Sequence, residues 1–109
     1  MSVSICMSAV LRKLPLAELD LIRAAEWYDD QRPGLGEEFV EEVDAAVRSL
    51  GRNPLQHGVV FADVRRVRLK RFRPYAVFYY QHQGEVIIFA IFHASRQPER
   101  LARRRARLR

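Results

Sequence analysis

The stretch from Val67 to His93, VRLKRFRPYAVFYYQHQGEVIIFAIFH, decides the fold. It opens on Val67-Arg68-Leu69-Lys70, where apolar and cationic residues alternate, and Arg66 extends the cationic row. Strand geometry sends alternate side chains to opposite faces, so Arg66, Arg68 and Lys70 are expected on one face and Val67 and Leu69 on the other. Arg73-Pro74 interrupts the run, and Tyr75 to Gln81 reads as an aromatic-rich strand. Gln83-Gly84 then supplies a hairpin turn. Glu85 to His93, rich in Val, Ile and Phe and apolar on both faces, is the expected central strand.

Upstream the period changes. Ala17, Leu21, Ala24 and Tyr28 recur at spacings of four, three and four, one face of an amphipathic helix from Leu16 to Tyr28. Pro15 suits its first turn, and Glu18 and Asp20 complement the helix dipole. Asp29 to Gly36, with Pro33-Gly34, marks a turn. A second helix follows from Leu35 to Leu50, with Phe39, Val43, Ala46 and Leu50 as its buried stripe. Gly51 is the expected residue just past its end, before Asn53-Pro54. Ahead of the hairpin, Ile5 to Lys13 reads as a short opening strand, with residues 1–9 as an extended start and Met7 an alternative to Met1. At the other end Pro98 to Leu108 forms a basic helix with Leu101 and Leu108 as sparse apolar contacts. The expected fold is α+β: an N-terminal strand and a helical hairpin packed on a small, mostly antiparallel sheet, closed by a short C-terminal basic helix.

The chain has 109 residues, enough for a single domain with one core. Hydrophobic residues make up 49%, which argues against wholesale disorder. The longest apolar run, Val86 to Phe92, is far too short to cross a bilayer, and no secretory signal opens the chain. Cys6 is the only cysteine, so an intrachain disulfide framework and an all-cysteine metal site are excluded. These features fit a cytoplasmic protein without membrane, metal or cofactor. The net charge of +6 is unevenly placed. Residues 1–58 carry 6 Lys+Arg and 10 Asp+Glu; residues 59–109 carry 13 and 3. The basic half therefore calls for an anionic partner, nucleic acid or an acidic protein segment.

Three features could meet such a partner. The row Arg66, Arg68, Lys70 is self-repelling unless an anion relieves it, or else it is a solvated edge. His93-Ala94-Ser95-Arg96 ends the central strand with a proton-handling and a phosphate-binding side chain, although a lone histidine there is more often structural. The basic half holds only Asp63, Glu85 and Glu99, so glycosidase chemistry and carboxylate-rich metal sites lack support. Tyr75, Tyr79 and Tyr80 could stack bases, with Phe78 and Tyr80 favoured for the core. His57 and His82 read as surface loop residues. The tail, Arg103-Arg104-Arg105-Ala106-Arg107-Leu108-Arg109, reads as a solvated charge run at residues 102–109 or an electrostatic dock.

With these pieces placed, the chain resembles the RelE/ParE superfamily of type II toxin–antitoxin toxins, in its ParE-like, plasmid-stabilisation branch, from about Val10 to Leu101. The pieces are Ala17-Glu18-Leu19-Asp20-Leu21, Pro33-Gly34-Leu35-Gly36 followed by Phe39, Asn53-Pro54, Val67-Arg68-Leu69, Pro74-Tyr75, Tyr79 and His93-Ala94-Ser95-Arg96-Gln97-Pro98-Glu99-Arg100. The resemblance implies a cognate antitoxin whose acidic segment masks the active surface, and a helical hairpin on an antiparallel sheet. It implies one of two targets: DNA gyrase, poisoned by protein contact, or the ribosome, where RelE-like members cut mRNA. A toxin fold kept only as an antitoxin-binding module is a third possibility. Arg66, Arg68, Lys70, Arg71, Tyr79, His93, Arg96 and Arg100 are the residues expected to meet antitoxin or target. No catalytic residue is assigned unless the chain is a nuclease, when Arg66, Arg68 and Arg96 would serve. Ala76 stands where RelE-like nucleases carry an arginine, about Ala102 where they carry a tyrosine, and Leu101 where ParE-like proteins often carry a tryptophan. Losing such electrostatic contacts costs several kcal/mol in a transition state, so gyrase is the expected target.

Overall fold

The computed structural model describes residues 10–93 and 98–108. It contains β1 (Val10–Lys13), α1 (Pro15–Gln31), α2 (Leu35–Arg52), β2 (Val59–Phe61), β3 (Val64–Arg68), β4 (Tyr75–His82), β5 (Glu85–His93) and α3 (Pro98–Arg107). The strands form one sheet in the order β1-β5-β4-β3-β2. Only the β1–β5 pair is parallel; the others are antiparallel. The helical hairpin α1–α2 covers one face and α3 the other, so the expected α+β fold is observed with a helical layer on each side of the sheet.

The sheet separates two apolar clusters. Ala17, Leu21, Ala24, Phe39, Val43, Val47 and Leu50 of the hairpin pack on Val67, Leu69, Val77, Tyr79, Ile88 and Ile91. On the far side Val64, Ala76, Phe78, Tyr80, Phe89, Ala90 and Phe92 meet Leu101 of α3. Phe78 and Tyr80 are core residues, as expected. Gln83 and Gly84 both have positive φ, 51° and 79°, which is the conformation a tight two-residue hairpin requires. Two boundaries differ from the sequence reading. Gly51 lies inside α2 and is buried, because Asn53, not Gly51, caps that helix. The short strand β2 was not expected; its three residues carry no alternation long enough to show a period.

The hairpin turn depends on close approach. Gly34 caps α2 with φ +89°, a left-handed conformation natural to glycine. Gly36 then comes so near α1 that a Cβ there would lie 2.3 Å from the Ala25 carbonyl oxygen. The backbone N–H of Gly36 donates to Asp29 Oδ1 at 2.8 Å, so a side chain of α1 satisfies one of the orphan donors at the start of α2.

Strand β5 carries a bulge. Phe78 pairs with Ala90 but Tyr79 pairs with Ile88, leaving Phe89 as the extra residue. Phe89 and Ala90 consequently both face α3, and the phase of the strand reverses beyond them. Strand β1 ends at Lys13, opposite Ile88, so the edge of β5 beyond that point has no strand neighbour. Side chains close it instead. Asp20 Oδ2 accepts from the Ile91 N–H at 3.0 Å, and Arg104 donates to the Phe89 carbonyl at 3.0 Å. The two side chains also pair with each other through two contacts, at 2.7 and 3.3 Å. Asp20 therefore does more than complement the helix dipole: it fastens α1 to the bulged strand and to α3.

This fastening decides whether α3 docks. Leu101 is the only buried residue of that ten-residue helix. Burying one leucine is worth about 1.5–3 kcal/mol. Ordering backbone costs roughly 1–2 kcal/mol per residue, so Leu101 alone is too little. The Asp20–Arg104 pair, with side chains 9% and 11% exposed, supplies a desolvated tie. Arg104 also lies over the Phe92 ring, 4.6 Å from its centroid, and Arg105 over Tyr80 at 3.7 Å. The arginine tail is therefore not a bare solvated run over Arg104 and Arg105.

Four outcomes are expected. Arg104→Ala, which strands Asp20 beside the sheet, should lower unfolding free energy in urea by about 3 kcal/mol. Arg105→Ala, which loses a pair to the half-exposed Asp63, should cost about 1 kcal/mol or less. Equal losses would show that burial of the Asp20 pair is not what matters. Gly36→Ala should cost about 2 kcal/mol by pushing the helices apart; an unchanged midpoint would contradict the close approach. Burial holds the His57 imidazole below its ordinary value of 6.5. The unfolded chain then takes up a proton before the folded one, so this contribution is fully present above about pH 6.5 and is lost as pH falls below it. His57→Gln should flatten urea-measured stability below that pH, and an unaltered slope would refute the assignment.

Candidate functional site

The expected cationic row holds as one strand face over Arg66 and Arg68 only. Strand β3 ends at Arg68, so Lys70 lies beyond it and the regular alternation stops there. Arg66 lines a cleft of about 150 Å³ under α3, with Val60, Phe61, Phe78, Phe92, His93 and Leu101. Arg68, Lys70 and Arg71 border a different groove, about 470 Å³, between α2 and β3. Its floor is apolar: Ala45 and Ala46 from α2, Val67 from β3 and Leu69 just beyond it. Beside this groove the edge of β3 has no β2 partner beyond Arg66, whose N–H donates to the Gly58 carbonyl at 3.4 Å.

The groove's charges are unequal. Arg71 is tied to α2: its guanidinium donates to Glu38 at 2.8 Å and its N–H to Glu42 at 3.0 Å. The hydrogen bond from Arg71 holds the Glu38 carboxyl below the usual carboxylate range. Arg68 and Lys70 have no carboxylate partner among the described residues, which leaves two cations for an outside anion.

Tyr79 is a correction. It was expected at the partner surface, but its side chain is fully buried and its hydroxyl donates to the Pro54 carbonyl at 2.6 Å. It anchors the segment after α2, and burial raises its pKa. His57 is also not a surface residue; its ring packs edge-on to Tyr79 and its carbonyl accepts from Arg65 at 2.6 Å. Phase explains Tyr79, since odd-numbered residues of β4 face the hairpin, and His57 is partly covered through its contact with that ring.

His93 stands at the end of β5, where it borders the Arg66 cleft on one side and a pocket against α1 on the other. Its Nδ1 is buried with no hydrogen-bond partner among the described residues, and its ring meets Tyr75 edge-on at 5.7 Å. Arg100 is exposed on the first turn of α3, over Phe92 at 5.2 Å. Arg96, together with Ala94, Ser95 and Gln97, lies outside the described residues. Leu101 is buried against the sheet, so the last helix docks without the expected tryptophan.

Chemically, the Arg66 cleft offers one guanidinium and one imidazole on apolar walls. Ala76, fully buried and paired with Arg68 in the ladder, contributes no polar group, and Ala102 is exposed on α3. Among the described residues no group of three or more His, Cys, Asp or Glu could hold a metal ion, and no helix is long and apolar enough to cross a membrane. Sequence reasoning missed Trp27, Arg23 and Asp20 as pocket-lining residues on α1. Trp27 was legible in part: it stands next to Tyr28, one step off the buried stripe.

Comparisons with known proteins agree with this geometry. A solved structure described as the chromosomal ParDE TA system from P. aeruginosa superposes with a TM-score of 0.71 over 81% of this chain and 97% of that one, at 21% identity, a likeness of fold. No curated protein matches the sequence. The family model for the ParE toxin of type II toxin-antitoxin system, parDE, matches residues 11–98. The chain therefore belongs to the ParE toxin family of type II toxin–antitoxin systems, which implies a cognate antitoxin as its partner.

Proposed function

We propose that the chain is a non-enzymatic toxin that inhibits DNA gyrase by direct contact and is neutralised when an acidic antitoxin segment occupies the α2–β3 groove. The observation that carries the non-nuclease reading is the buried alanine on β4 beside the candidate nuclease cations. Arg66 and Arg68 share the α3-side face of β3, but the residue paired with Arg68 on β4 is the buried Ala76, and among the described residues only Arg66 and His93 bring charged or titratable side chains to the cleft under α3. Stabilising the charge that develops in RNA cleavage needs donors aimed at one phosphate. One guanidinium and one imidazole in an apolar cleft supply too few. Membership of the ParE family favours gyrase over the ribosome.

The groove fits the antitoxin by complementarity. An apolar floor would seat small aliphatic side chains, and Arg68 and Lys70 would pair with carboxylates along the same segment. The edge of β3 beyond Arg66 offers backbone hydrogen bonds to an extended stretch.

Expression in growing cells without the antitoxin separates the mechanisms. Blocked DNA synthesis with an SOS response is expected; rapid loss of translation with cleaved mRNA would overturn the reading in favour of a nuclease. Arg68→Glu with Lys70→Glu should weaken antitoxin binding at least tenfold while leaving the unfolding midpoint nearly unchanged, because both side chains are exposed and unpaired. Unchanged affinity would place the antitoxin elsewhere.

A further inference from the structure

A third concavity lies between α1 and the end of β5, sharing Phe92 and His93 with the Arg66 cleft and separate from the α2–β3 groove. It measures about 310 Å³ and is walled by Arg23 and Trp27 of α1, Tyr75, His93 and Arg100, with Asp20 at its base. An adjoining hollow of about 290 Å³ extends it past Trp27, Tyr28, Pro74 and Tyr75. The first volume lies at the lower end of the range for small organic ligands, roughly 300–1,000 Å³, and the second enlarges it.

Three properties of this wall point to the same chemistry. First, Asp20, the one carboxylate present, is already engaged by Arg104 and the Ile91 N–H. Arg23 and Arg100, on opposite walls, have no carboxylate partner among the described residues. The pocket is thus cationic. Second, Trp27 leaves 54% of its surface in water, although it is among the largest apolar side chains in the chain; its position is fixed by edge-on contact with Tyr28, 5.1 Å between centroids. A fixed, half-exposed indole between two guanidiniums is a stacking platform for a planar ring. Third, Arg103 and Arg107 follow Arg100 along one exposed face of α3, also without carboxylate partners among the described residues. Seven residues of helix carry this row about 10 Å from the pocket. That length suits one or two further phosphates of an extended strand.

We propose that this surface binds single-stranded nucleic acid: a base stacks on Trp27, its phosphate lies between Arg23 and Arg100, and the next phosphates run along Arg103 and Arg107. An acidic peptide would use the guanidiniums but leave the exposed indole unexplained, which favours nucleic acid. The proposal is independent of whether gyrase is the target.

Trp27 is the only tryptophan of the chain, so its fluorescence reports on this site directly. The full chain is titrated with the DNA decamer dA10, with AMP and with a poly-glutamate peptide, and labelled dA10 is followed in parallel by anisotropy. Saturable quenching by dA10 is expected, with a salt slope of about −3 for four guanidiniums on single-stranded phosphates. Arg23→Ala with Arg100→Ala should weaken dA10 at least tenfold, and Trp27→Ala about tenfold by anisotropy. Arg103→Ala with Arg107→Ala should reduce the slope by about 1.4. Circular dichroism of each variant checks that these exposed substitutions leave the fold intact. Absence of quenching, or dA10 binding that the Arg23/Arg100 variant does not weaken, would overturn the site. Equal quenching by poly-glutamate would show a charge surface for proteins instead, and AMP binding as tightly as dA10 would contradict the phosphate track.

Discussion

The arrangement rests on a single desolvated ion pair, Asp20 with Arg104. A bulge at Phe89 shifts the phase of β5 at the point where β1 has already ended, so the strand's edge would be left with unpaired backbone groups beside a helix terminus. Buried polar groups without partners are costly, and these two side chains satisfy the edge while neutralising each other. Because Asp20 belongs to α1 and Arg104 to α3, the same contact ties the two helical layers together across the end of the sheet. The pocket between α1 and His93 has Asp20 in its wall.

The consequence is a division of the positive charge. Arg104 and Arg105 are spent on internal pairs with Asp20 and Asp63, and Arg71 on Glu38. The hydrogen bond from Arg105 keeps the Asp63 carboxyl below its ordinary value, as Arg71 does for Glu38. Arg66, Arg68, Lys70, Arg23, Arg100, Arg103 and Arg107 have no such partner among the described residues and are distributed over three separate surfaces. A basic domain of this kind can meet an acidic antitoxin segment on one side and a different anion on another without the two competing for one groove.

Much of this was legible in the sequence where residues repeat with a period. The four-three-four spacing of Ala17, Leu21, Ala24 and Tyr28 located α1, and Val67 with Leu69 fell on the hairpin side as alternation requires. The turn at Gln83-Gly84 was read from two residues. What failed to show was anything that depends on long-range contact. The burial of Tyr79 follows from which face of β4 meets the hairpin, and the engagement of Arg104 follows from a bulge that no local pattern announces. The row Arg66, Arg68, Lys70 looked like one stripe because alternation was carried past Arg68, where the strand ends. Trp27 lacked a pattern altogether, since its neighbours on the pocket wall come from α1, β4, β5 and α3.

Family membership gives the toxin–antitoxin setting, and the buried Ala76 beside Arg66 and Arg68 gives the reason to look to a protein target. DNA supercoiling by purified gyrase, measured with the purified chain added, is the direct measurement. Supercoiling should cease as the chain is added and return when the cognate antitoxin is supplied. Undiminished supercoiling, with cleavage of mRNA on ribosomes by the same preparation, would contradict the account.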